Sequence, residues 1–423
     1  MNELDGLKLV EPSAYAEHGY PHDVWNELRA NDPLHQFDVP GWRPFWAVTK
    51  HADIIEISKQ PEKFTNHPRM VISPLEQELE AERMQAEGGF MATMRTIIQM
   101  DGDDHRKLRK VAAHAFTPNV LKKLKPAIDE TARGLIDEMA ARAECDFITD
   151  VANLHPLKII CRILGMPESD EPLILRLTNE LFGSADPEFQ RDPDRQKRMM
   201  ELGVEMFQFF TGIIEDRRAN PTDDLASVIA NATVDGEPMS PGDTLGYFLI
   251  TFTAGHETTR GGIGGGLRAL VENQDQIANW KADLSIEKQA VNEIVRYVTP
   301  VNTMVRNAQV DYELRGKTIK AGDAIVLFYA SANRDEEVFD DPHAFRVDRK
   351  KNPHLGFGIG EHFCIGSNLA RMTTGALYSE LIPRIESIEF AGEPQHVASN
   401  LVPGLKHLPV RYELSKSKTA ARS

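Results

Sequence analysis

FGIGEHFCIGSNLAR, residues 357–371, sets one cysteine, Cys364, among three glycines, Gly358, Gly360 and Gly366. Glycine at those spacings describes a chain that turns sharply and lets something large approach its backbone. The residues that follow, SNLARMTTGALYSELI, carry a helical pattern, so the thiol is predicted at or just before a helix N-terminus. Unpaired N–H groups and the helix dipole favour a thiolate there, which predicts a pKa below the ordinary value of about 8.5. The chain has only two other cysteines, Cys145 and Cys161, widely spaced and with no CxxC pair. That excludes a disulfide framework and a cysteine zinc site, and leaves Cys145 and Cys161 as plain helix or core thiols.

Position for position, residues 357–371 resemble the haem-thiolate loop of the cytochrome P450 superfamily, FGxGxHxCxGxxLAR. The resemblance implies a mainly α fold with small β-sheets, in which haem b (iron protoporphyrin IX) lies between an oxygen-activation helix and the Cys-loop helix. It makes Cys364 the axial iron ligand, with Phe357, Gly358 and Gly366 against the cofactor and dioxygen as cosubstrate.

Three further stretches fit the resemblance. In Leu249–Thr259, LITFTAGHETT, an apolar helix is interrupted by Ala254 and Gly255 and then by Glu257 and Thr258. Small residues let a helix lie close to a flat macrocycle, and an alcohol inside a helix can bond back to a carbonyl and open the ladder for water. This is similar to the family's AGx[DE]T motif, which implies catalytic roles in proton delivery for Thr258 and Glu257. The glycine-rich continuation, Gly261 to Gly266, suggests close packing against another element. Glu293 and Arg296 in EIVR share a helix face and resemble the buried ExxR pair that braces the thiolate loop. In DPHAF, Asp341–Phe345, Ala344 stands where the family often has Arg or His, so the third partner is open, with His343 or Arg346 as substitutes. His105 and Arg109, four apart on one helical face, with Arg306 and His362, resemble the partners of the haem propionates, carboxylates that cations hold by charge-assisted hydrogen bonds.

The remaining sequence sets the limits. With 423 residues, 41% hydrophobic and 26% charged, the chain is folded and globular. A net charge of -16 opposes nucleic acid and anionic lipid as partners. No basic leader precedes an apolar stretch at the start, and no run is apolar for ~18 residues, so a cytoplasmic protein that does not cross a membrane is expected. With no repeat and no Ser/Gly linker, one domain over 1–423 is expected, β-rich at about 40–60 and 301–330, helical at about 101–300 and 364–385. The stripe Val120, Leu121, Leu124, Ile128, Ala132, Leu135, Ile136 and Met139 predicts a helix over 119–141 with one buried face. Glu76–Gly89 and Asp186–Arg195, charged or rich in Asp and Pro, read as mobile surface loops. HETTR at His256 lacks the second His of a zinc protease, RGKT at Arg315 lacks the upstream Gly of a phosphate loop, and no GxSxG elbow is present.

An apolar pocket with few polar anchors is expected. The resemblance draws it from Met91–Ile98, including Met94, Ile97 and Ile98, from Leu249 and Ala254, from Val301 and Met304, and from Leu401–Val402. Ala143–Gly183 and Ser331–Pro342 look like the bacterial α-terpineol hydroxylase branch. That implies a monooxygenase, a monomer, hydroxylating a monoterpenoid or alkylaromatic hydrocarbon with electrons from NAD(P)H through a ferredoxin reductase and a ferredoxin. Polycyclic aromatic or steroid-like substrates are the wider alternative. A peroxygenase would not need Thr258, and a haem-thiolate sensor or binding protein would need neither Glu257 and Thr258 nor a donor face. Between His105 and Ala127 seven cations stand with no acid, and Arg106, Lys107, Lys110 and Lys122 are the outward members expected to steer an acidic ferredoxin.

Overall fold

The computed structural model describes residues 3–88, 94–190, 192 and 194–416. Five helices position the site: α1 (Gly102–Ala113), α2 (Pro118–Ala140), α3 (Pro241–Glu272), α4 (Glu287–Val298) and α5 (Ser367–Leu381). The largest sheet has five short strands, β1 (Leu34–Phe37), β2 (Phe45–Val48), β3 (Phe64–Thr65), β4 (Thr303–Ala308) and β5 (Ala324–Phe328), in the order β1-β2-β5-β4-β3. Strands β2 and β5 run parallel, and the other neighbours are antiparallel.

Alternation along these strands separates two cores. Val305, Ala324, Val326 and Phe328 pack with Trp25 and Phe45, whereas Ile325 and Leu327 pack on the opposite face with Ile54 and Leu355. In the β4–β5 register Met304 stands opposite Leu327 and Arg306 opposite Ile325, which puts both pocket-side candidates on that second face.

Helix α3 runs 32 residues through the largest core. The Ser240 hydroxyl caps it by accepting the Asp243 N–H at 3.1 Å, and Pro241 fits the first turn, where its missing donor costs nothing. Its glycine run has a direct explanation. A side chain at Gly264 would collide with Ile148, one at Gly265 with Val298 of α4, and one at Gly266 with Tyr378 of α5 and Ile294 of α4, so their absence lets α4 and α5 close on α3. Each glycine costs the helix about 1 kcal/mol relative to alanine. The closeness also lets Tyr378 of α5 donate to the Ile263 carbonyl at 2.6 Å. Helix α2 spans the predicted stretch, with Leu121, Ile128, Ala132, Leu135, Ile136 and Met139 buried and Val120 and Leu124 half-buried.

One loop expectation fails, and the other is a surface connection with a buried anchor. Leu75–Glu87 is a helix with no buried residue, built from strong helix formers and held by Arg43, whose guanidinium meets Glu78 at 2.7 Å and Glu82 at 2.6 Å. In the second stretch Asp186 is only 1% exposed, because Lys406 and the Ala398 N–H occupy its carboxylate. Gly89, Arg191 and Pro193 of those stretches lie outside the described residues. No helix among the described residues is long and apolar enough to cross a membrane.

Candidate active site

The Cys364 loop is drawn tight by its own backbone. The Cys364 N–H donates to the Phe357 carbonyl at 2.9 Å, and that of Gly358 to Leu355 at 2.8 Å. Gly358 and Gly360 take φ of 67° and 80°, the left-handed region open to glycine, and a side chain at Gly360 would run into the Ser58 carbonyl. Helix α5 starts three residues after the thiol, as predicted. The expectation of a depressed pKa is not met. Burial pushes the Cys364 thiol up, outweighing the Gly366 N–H and the Arg109 and Arg371 guanidiniums that favour the thiolate. Cys145 and Cys161 are buried core thiols, pushed up by burial to about 11 and about 12.

Beneath the loop lies a satisfied ionic network. Arg296 grips Glu293 with two bonds of 2.8 Å, and both side chains are 0% exposed. The third partner is Arg349, whose Nε stands 3.2 and 3.0 Å from the Glu293 oxygens. His343 instead packs edge-on against the His22 ring, and Arg346 offers only its backbone N–H, at 2.9 Å, its side chain turning to Asp348. Ala344 contributes its carbonyl, which accepts from both Arg296 and Arg349. The Arg349 side chain thus supplies the donor to Glu293 that a basic residue at position 344 would have supplied. Asn352 adds a bond of 3.1 Å to Glu293.

The four predicted propionate partners do come together. The His105 and His362 rings lie 4.1 Å apart, Arg109 donates to the Phe363 carbonyl, and Arg306 is buried on β4. Both ring nitrogens of His105 and Nε2 of His362 are buried without a hydrogen-bond partner. Burial, then His105, Arg306 and Arg109, push His362 down to about 3. Two imidazoles with unpartnered nitrogens beside two guanidiniums that are bonded to the Phe363 and Val305 carbonyls form a cluster with donors to spare, the arrangement expected around a bound anion.

Helix α3 has one accessible stripe. Ala254 is exposed and Ile250, Thr251 and Thr258 are half-buried, while Phe252, Thr253, His256 and Glu257 around them are buried. Gly246, one end of this stripe, packs under the Arg95 backbone, and Pro300 stands 3.7 and 3.6 Å from where side chains of Gly261 and Gly262 would begin. The stripe is thus bounded by the segment that leads into Ile97 and Ile98 and by the one that leads into Val301. Ile97 and Val402 are buried, and Met94, Ile98, Leu249, Val301, Met304 and Leu401 half-buried. Met91, Ala92 and Thr93 of the expected wall lie outside the described residues. A side chain at Gly255 would begin 3.2 Å from Ile160, so its small size serves helix packing more than open space. Thr258 donates to the Ala254 carbonyl at 2.8 Å. Glu257 is paired with Arg260, whose other arm reaches the Leu405 carbonyl at 3.1 Å.

The sequence profile of the Cytochrome P450 family matches residues 86–285 and 278–388. The chain belongs to the cytochrome P450 family. Cytochrome P450-terp of a Pseudomonas species is 36% identical over 412 residues, 96% of each chain. The steroid C26-monooxygenase of Mycolicibacterium smegmatis is 36% identical over 400 residues, 93% of this chain and 90% of its own. Among solved structures, CYP108D1 from Novosphingobium aromaticivorans superposes with a TM-score of 0.88 at 37% identity, covering 98% of this chain and 99% of the other. This protein is therefore a P450 monooxygenase, of a family that uses a haem-thiolate iron and dioxygen.

The residues of this P450 fit that cofactor. The unpartnered nitrogens of His105 and His362, with Arg109 and Arg306, match a ligand carrying two carboxylates, and the half-buried Cys364 is the sulfur that would meet its iron. The predicted docking cations are less free than they looked. Arg106 is paired with Asp103 and Glu361, and Lys107 with Asp235, whereas Lys110, Lys122 and Lys123 are exposed. Next to Arg109, Phe363 is 40% exposed, an apolar residue on the surface that sequence reasoning passed over. Arg349, Arg260 and Tyr378 were also missed, and none carries a local motif.

Proposed function

We propose that this P450 hydroxylates an unactivated C–H bond of a small hydrophobic molecule, a monoterpenoid or alkylaromatic hydrocarbon, using NAD(P)H electrons delivered by a ferredoxin reductase and a ferredoxin. The accessible stripe of α3 carries the reading: between buried neighbours it sets Ile250, Thr251 and Ala254 in a line that ends on the Thr258 hydroxyl. Likeness to Cytochrome P450-terp and to CYP268A2 of Mycobacterium marinum, solved with pseudoionone (32% identical, TM-score 0.84, covering 92% and 94% of the two chains), supports a small branched substrate.

When bound, haem b supplies dioxygen binding, O–O cleavage and oxygen insertion. The chain supplies the rest. Cys364 would hold the iron, and His105, Arg109, Arg306 and His362 would hold the propionates, with Phe357, Gly358, Gly366, Ala254 and Gly255 close to the ring. Thr258 spends its hydrogen on the Ala254 carbonyl, so its oxygen lone pairs are turned to the accessible side, where they can accept from and orient a water. Glu257 keeps Oε2 without a partner and can take a proton there and hand it on, while Arg260 fixes its other oxygen. The buried walls exclude bulk water.

The reduced enzyme with carbon monoxide should show the thiolate haem spectrum, and Cys364→Ala should lose it. Turnover with a ferredoxin pair should give alcohol product, and Thr258→Ala should lower product per NADH about tenfold. Unchanged coupling would overturn the role of Thr258, and no turnover at all would favour a sensor. The equal likeness to a steroid C26-monooxygenase supports a second reading, a steroid-like substrate. Haem spin shifts across terpenes, alkylbenzenes, polycyclic aromatics and steroids separate the two. For the donor face, Lys110 and Lys122 are the first ferredoxin contacts to test, since Arg106 and Lys107 are already paired with acids.

A further inference from the structure

The segment that carries the pocket candidates Leu401 and Val402 is clasped at both ends by one buried side chain. Asp186 accepts the Ala398 N–H at 3.0 Å and the Lys406 ammonium at 3.0 and 3.1 Å. Asp186 opens the turn Pro187–Phe189, which lies in the connection between the helices Glu171–Phe182 and Arg195–Ala219. Both helices lie on α3: Phe210 meets Phe248 and Phe252, and Thr178 meets His256. A second tie sits beside the first. His407 has a carboxylate on each ring nitrogen, Asp146 on Nδ1 at 2.5 Å and Glu188 on Nε2 at 2.8 Å. A neutral imidazole has one N–H and one lone pair, so only the doubly protonated ring can donate to both.

We propose that Lys406 and His407 form a latch on the Asp186–Phe189 turn, which holds the connection between these two helices against the segment that carries Leu401 and Val402 and loosens at Glu188 when His407 loses its charge. Asp146 is fixed by the Ile148 and Leu408 N–H groups, each at 3.0 Å, whereas the Glu188 side chain is 39% exposed, so Glu188 is the partner released. Lys406 also reaches Glu188, at 3.4 Å, and holds Asp186 in either state. Other groups close by are already committed: Asp150, in the turn packed on this strand, to Arg142, His396 on the paired strand to Arg268, and Arg260 of α3 to Glu257. Burial disfavours charge on His407, yet the bonds to Asp146 and Glu188 lift it above the ordinary histidine value. The latch is therefore complete at low pH and is lost as pH rises through that raised value.

The inference rests on Leu401 and Val402 lining the pocket. With the haem-loaded enzyme, stopped-flow association of metyrapone, a bulky iron ligand, should speed up about three- to fivefold between about pH 6 and about pH 9, while carbon monoxide, too small to need the latch open, should not. His407→Gln and Glu188→Gln should each show the fast rate throughout. Hydrogen exchange over 183–190, compared with the wild type at about pH 6, should rise by a similar factor in both. Wild-type pH dependence retained in both variants would overturn the latch. Exchange that rises without any change in metyrapone association would leave the latch standing and overturn the placement of Leu401 and Val402 in the pocket.

Discussion

The two faces that meet at the proposed haem site are built in opposite ways. Below Cys364, Glu293 takes bonds from Arg296, Arg349, Asn352 and the Arg346 backbone, and the spare guanidinium donors end on the carbonyls of Asn333, Asp340, Pro342 and Ala344. On α3 the accessible stripe carries no charge and is thinly bonded, with Glu257 Oε2 and Arg260 Nε left without partners nearby. A saturated network has one arrangement, so it fixes the thiolate loop. A stripe of small and aliphatic residues can meet different molecules. The contrast separates the part of this P450 that must stay fixed from the part that can adapt.

Breaking the lower face should have the largest effect. Glu293→Gln leaves two buried guanidiniums without their carboxylate, a loss of about 3–5 kcal/mol for a broken buried pair. Denaturant midpoints and haem retained after gel filtration should both fall. Arg349→Ala should approach that loss, whereas Arg346→Ala, whose side chain only meets Asp348 at 3.7 Å, should stay within about 0.5 kcal/mol of the wild type. Equal losses at 346 and 349 would remove Arg349 from the network.

The upper face should respond in binding and not in stability. Ala254→Leu fills exposed space, so the unfolding midpoint should hold while affinity for a bulky pocket ligand drops about tenfold by haem spectral titration. A destabilised Ala254→Leu protein would mean that the stripe is closed in solution.

How much of this was legible in the sequence follows the same division. The Cys364 loop could be read because its demands are local: glycines where φ is positive, a thiol just before a helix. His105, Arg109, Arg306 and His362 could be named because the family motifs place them, and the fold brought them together. Arg349 carried no signal, since its contact depends on the path of residues 340–352, and Ala344 even pointed away from it. Helix Leu75–Glu87 was misread because a helix with no buried face has no apolar period, only propensity. The basic run of α1 and α2 was overread for a related reason: Asp235 reaches Lys107 from 128 residues away, and no window along the chain sees that neutralisation.

That neutralisation sets the smallest effect. If an acidic ferredoxin docks near Cys364, the cations free to steer it are Lys110 and Lys122, and Lys110→Glu with Lys122→Glu should slow reduction about three- to tenfold at low salt. Arg106→Glu and Lys107→Glu also break existing pairs with Glu361 and Asp235, which frees two acids beside the new ones. Their slowing should therefore be accompanied by a local structural change, visible as faster hydrogen exchange in α1, that the Lys110 and Lys122 variants do not show. Reduction rates insensitive to salt and to all four substitutions would move the electron donor to another face, with Phe363 then left as an exposed ring that has no polar frame around it.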